Sequence, residues 1–68
     1  MKIRSVEFRE AVPVNGDMST RIVASEGNVI RVSAEGVVFP GPRHRDRDGC
    51  ALILVPWANV RWVVAEES

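Results

Sequence analysis

The chain has no tyrosine, and it carries one cysteine, one histidine and one lysine. Each shortage excludes something. A lone cysteine permits no intrachain disulfide. One histidine and one cysteine do not make a zinc site without several carboxylates. No glycine-rich phosphate loop, zinc-ligand spacing or hydrolase elbow is present. The expectation is a protein without catalytic residues, cofactor or metal. No apolar run approaches the ~18 residues of a transmembrane helix, so no membrane role is expected. Excess charge of either sign is missing too, since nine basic side chains balance nine acidic ones. A nucleic-acid-binding domain usually announces itself with a basic excess.

The length of 68 residues allows one small domain, 1–68. A chain this short buries only about 60% of its unfolded surface, and its stability is marginal unless something is added. Without disulfides or metal, the remaining addition is homo-oligomerisation or docking on a larger partner. Met1 to Phe8 lacks the apolar core of a signal peptide, and neither end shows a lipidation motif. The expected location is the cytoplasm, where an unpaired cysteine is at home.

Turn chemistry recurs roughly every ten residues, a spacing that suits an all-β barrel or sandwich. Asn15-Gly16-Asp17 is the strongest hairpin signal, because Asn and Gly tolerate positive φ. Glu26-Gly27-Asn28, Glu35-Gly36 and Asp48-Gly49 mark further turns. The segments between them read as strands. In Ile3–Val14, the residues Val6, Phe8, Val12 and Val14 share a parity that Glu10 breaks. A bulge or an edge position near Glu10 resolves the conflict, and Pro13 argues for an edge nearby. Thr20–Ala24 and Val29–Ala34 follow, with Ile30, Val32 and Ala34 on one face of the latter. Val37–Phe39 is a short strand stopped by Pro40. No segment shows sustained helical periodicity, and β-branched Val dominates the apolar residues.

The C-terminal third is the most apolar. Ala51–Val55 reads as a buried central strand. Val60–Val64 reads as the last strand, with Val60, Trp62 and Val64 facing the core and Arg61 facing out. Between them Pro56 suits the first position of a 3₁₀ turn, because its missing donor would go unpaired there anyway. The segment Val55-Pro56-Trp57-Ala58-Asn59-Val60 resembles the end of an SH3-like barrel, in which Pro leads into a 3₁₀ turn and a Val opens the final strand. That resemblance implies an all-β, antiparallel barrel of five or six strands with a 3₁₀ turn near Pro56. The aromatic motif with which signalling SH3 domains grip proline-rich peptides is missing from Val6–Val14. An open, curled sheet that completes its core by dimerisation is the other architecture compatible with these patterns. The length, the opening MKIRSVEF and the ending LVPWANV also resemble small bacteriophage-encoded proteins.

Candidate functional residues lie in two places. The loop from Pro40 to Gly49 places Arg43, His44, Arg45 and Arg47 beside Asp46 and Asp48. Such a loop contacts phosphate or an acidic surface. In the plainer reading it is a solvated tip whose charges compensate one another. His44 and Cys50 lie six residues apart, but Cys50 heads an apolar strand and is expected to be a buried hydrophobe. Trp57 sits in a turn, as core or as an exposed interface anchor. The leading functional expectation is a non-enzymatic protein-binding module, such as a phage-encoded modulator of a host protein. Two alternatives stand beside it: a nucleic-acid-binding barrel using the Arg43–Arg47 loop and Trp57, and a structural subunit of a larger assembly.

Overall fold

The computed structural model describes residues 2–43 and 50–67, without the side chains of residues 42, 43, 50 and 51. It is all-β. β1 spans Lys2–Val14 and β2 spans Asp17–Val23; a 3₁₀ turn follows at Ala24–Glu26. β3 is Arg31–Val32, β4 is Gly36–Arg43 and β5 is Cys50–Pro56. A second 3₁₀ turn at Trp57–Asn59 leads into β6, Val60–Glu66. Two antiparallel sheets result, ordered β2-β1-β6 and β3-β4-β5.

Among the described residues no ladder joins the two sheets, so the closed barrel expected from the sequence does not form. The reason lies in the Val29–Ala34 segment, of which only Arg31 and Val32 pair. Gly27, at φ 86°, turns the chain out of line, and Asn28 Nδ2 donates to the Val23 carbonyl at 2.9 Å. That local bond holds the linker as a turn instead of a strand.

Side chains hold the sheets together. Val6, Phe8, Val14 and Ile22 from the first meet Val37, Phe39 and Val55 from the second, and all seven are buried. The Phe8 and Phe39 rings lie 6.2 Å apart between centroids, tilted by 31°. This is within the range in which aromatic pairs attract beyond their simple burial.

The first hairpin forms at Asn15-Gly16, where both residues have positive φ (52° and 88°). Beyond it, β1 and β2 fall out of step between Glu7 and Val12. The extra residues lie around the exposed Glu10, so Val6, Phe8 and Val14 stay buried and Val12 packs on the core. The irregularity anticipated near Glu10 is therefore present. β6 pairs with β1 only as far as Phe8. Pro13 thus lies where the sheet is two strands wide, and its missing donor costs nothing on the open side.

Asn59 closes the gap left by the bulge. The Glu10 amide donates to Asn59 Oδ1 at 2.8 Å, and Asn59 Nδ2 donates to the Glu10 carbonyl at 3.2 Å. One side-chain amide thereby replaces a ladder step across 49 residues of sequence. In the second sheet, Gly36 lies against β5, where an added Cβ would collide with the Val55 carbonyl.

Two stability outcomes follow. Gly36→Ala forces the β4–β5 backbones apart and should cost about 1–3 kcal/mol, as overpacking does. Asn59→Ala removes both bonds to Glu10 and should cost about 1–2 kcal/mol. Urea denaturation monitored by tryptophan fluorescence reads both. A Gly36→Ala midpoint equal to that of the parent would contradict the close approach of the strands.

Candidate functional site

β5 is apolar along its whole length, and it lies at the edge of its sheet. Among the described residues the central position expected for Ala51–Val55 is thus replaced by an edge position, and the expected burial holds on one face. Val55 is buried and Ile53 packs on the core, while Leu52 and Leu54 face outward at 70% and 48% exposure. The alternation of a strand explains the split. Among the described residues no third layer covers the outer face, and Leu52 and Leu54 stay in solvent.

The register shows what surrounds the two leucines. Leu52 stands opposite Pro40, Leu54 opposite Val38 and Pro56 opposite Gly36. Val38 also stands opposite Arg31 of β3. The outer face of the second sheet is therefore an apolar surface of Val38, Pro40, Leu52, Leu54 and Pro56, with Arg31 at its border. Contiguous exposed apolar surface of this kind marks interaction sites in soluble proteins.

Trp57 follows directly after Pro56 and stands at the end of this face, 41% exposed. It is fixed at two points. Its backbone amide donates to the Glu35 carbonyl at 3.3 Å, and its indole Nε1 donates to the Ser33 carbonyl at 3.0 Å. The acceptors belong to the β3–β4 turn, which is itself braced by the Ser33 hydroxyl. That oxygen accepts from the Glu35 and Gly36 amides at 3.3 and 3.2 Å and donates to the Gly36 carbonyl at 3.1 Å. An aromatic ring held in this way loses little freedom when a partner covers it.

Trp62 departs from the sequence expectation. It is 52% exposed, and Val64 also faces solvent, whereas Val60 and Val63 pack on the core. The cause is a bulge: Glu7 pairs with Trp62 and Phe8 with Val60, leaving Arg61 unmatched. One extra residue reverses the parity of everything after it. The Arg61 guanidinium carbon lies 5.6 Å from the centre of the Trp62 ring, over the outer face of the first sheet.

That outer face also carries a cleft of about 450 Å³ lined by Lys2, Arg4, Ser5, Arg21 and Glu66. Arg4 Nη1 lies 3.5 Å from Glu66 Oε2, and Glu7 stands opposite Arg21. Carboxylates therefore stand beside two of these bases, Arg4 and Arg21. No group of three or more metal-ligating side chains occurs among the described residues. Among the described residues no helix is long and apolar enough to cross a membrane.

Of the candidate site residues Arg43, His44, Arg45, Arg47 and Trp57, Trp57 alone has a described side chain. His44, Arg45 and Arg47 lie outside the described residues, as do the side chains of Arg43 and Cys50. Sequence reasoning missed Val38, Pro40, Leu52, Leu54 and Pro56 as a surface. The available signal was the lack of any charged residue between Cys50 and Pro56. No family model, curated protein or solved structure matches the chain.

The exposure of Trp62 leads to a direct test. Trp62→Ala should leave the protein folded, with a change within about 1 kcal/mol, because its site is half in water. Phe8→Ala removes a buried ring and should cost about 3–5 kcal/mol. Thermal melts of the two variants give the comparison. A larger loss from Trp62→Ala than from Phe8→Ala would place the bulge in β6 elsewhere.

Proposed function

We propose that the chain is a non-enzymatic protein-binding module whose contact surface is the outer face of the second sheet. One observation carries the reading: the apolar face of Val38, Pro40, Leu52, Leu54 and Pro56 ends at a tryptophan already fixed by its indole N–H. Interfaces depend on a few well-placed aromatic anchors, and Trp is prominent among them. The apolar patch supplies the desolvated surround that such an anchor needs. Two small sheets linked by the Trp57–Asn59 turn also fit the SH3-like resemblance of Val55–Val60. The proposed binding mode differs from that of signalling SH3 domains, because the face is aliphatic and lacks their aromatic motif.

Affinity capture with the whole chain, before and after nuclease treatment of the extract, tests this function. A partner retained after nuclease, and lost with Trp57→Ala in a chain that still folds, is the expected result. Capture that vanishes with nuclease, or weakens steeply as salt rises, would instead mark a phosphate-driven complex. Capture unaffected by Trp57→Ala would remove the tryptophan from the contact surface.

A further inference from the structure

The four sheet edges are unequal. β2 carries Asp17 and Arg21, β3 carries Arg31, and β6 carries Arg61 and Glu66. Charged side chains of this kind protect an open edge from pairing with another chain. β5 runs from Cys50 to Pro56 without one charged residue, and among the described residues β4 alone lies beside it. Among the described residues its one guard is Pro56, at its final position, and the middle of the strand has no partner on that side.

We infer that the β5 edge pairs antiparallel with the β5 edge of a second copy, joining two three-stranded sheets into one of six. A two-fold axis at Ile53 gives the register. Ile53 then faces its own counterpart, and Leu52 of each copy stands opposite Leu54 of the other. Strand alternation places these four leucines on the same outer face. The two side chains that are 70% and 48% exposed in the single chain become cross-strand neighbours, a pairing that stabilises sheets. An uncharged strand is complementary to itself, and a net charge of zero brings no long-range repulsion between copies.

Among the described residues, eight large hydrophobic side chains are exposed beside a buried core of seven. A closed two-fold pair, unlike a strand added from one end, consumes both open β5 edges and stops there.

Sedimentation equilibrium of the whole chain, from micromolar to millimolar concentration, reads the assembly without any other partner. Its failure is therefore separate from failure of the protein-binding function. The expected result is a reversible dimer and a melting temperature that rises with concentration. Leu52→Lys and Leu54→Glu should each weaken the dimer at least tenfold while the diluted monomer keeps its β circular-dichroism signal. Combining the two substitutions places opposite charges across the axis and should restore pairing. A monomer at every concentration, an open-ended series of larger species, or a dimer unaffected by both single substitutions would overturn the inference. Single variants that dissociate without rescue in the double variant would overturn the register.

Discussion

The contact between Phe8 and Phe39 is the one on which the rest of the structure depends. The two sheets share no ladder among the described residues, so backbone hydrogen bonds stabilise each sheet but not their union. Their union rests on seven buried side chains, and the two phenylalanines are the largest of them. Core packing of this sort is sensitive to volume, and a small core has few neighbours to take up a defect. The turns, bulges and caps act by keeping β1 and β4 where these rings can meet.

The bulges serve that geometry. β1 is 13 residues long and must present Val6 and Phe8 to the core from one stretch and Val14 from another. A regular strand of that length would put the exposed, charged Glu10 on the same face. Extra residues around Glu10 remove the conflict, at the cost of leaving its amide and carbonyl without a strand partner. Asn59 supplies both the acceptor and the donor from a turn near the other end of the chain. Pro56 helps to place Asn59, because it opens the 3₁₀ turn whose last residue is Asn59. The second tie on that turn runs from Trp57 to Ser33 and Glu35 of the other sheet. A three-residue turn thus touches both sheets, which makes it a structural joint as well as the end of the exposed face.

The strongly periodic and strongly punctuated parts of the fold were legible in the sequence. The parity of Val6, Phe8, Val12 and Val14, the Asn15-Gly16 turn, the irregularity at Glu10 and the turn after Pro56 all have local causes. Less legible were the features decided by pairing between distant segments. In Val60–Val64 four of five residues are apolar, so either face can serve as core once a bulge is allowed. The sequence offers no local sign that Arg61 is the residue left over. Val29–Ala34 has the alternation of a strand, but an Asn28 bond to Val23 shortens its paired part to two residues. The candidate surface was hidden for a similar reason. Apolarity on both faces reads as burial on both faces, and only the sheet order shows that β4 alone pairs with β5 among the described residues. The arginine-rich loop stood out by composition, whereas the aliphatic face becomes visible only when β4 and β5 are set side by side.

Apolar surface on both faces of an edge strand is a cost unless something covers it. Leu52 and Leu54 contribute little to the core, and polar residues there would keep Ile53 and Val55 in place while making the edge more soluble. Natural edges usually take that course, and the other three edges of this chain do so. The contacts proposed above, outside the chain, account for the apolar residues of β5. The Gly36 approach to Val55 holds β4 close along the inner side, and the indole of Trp57 is pinned at the far end. The strand is thus presented in a fixed position with its free edge and its outer face both available. Pre-organisation of that kind lowers the ordering cost of association. Under the proposed pairing, a chain with so small a core gains from assembly apolar burial that its own length does not provide.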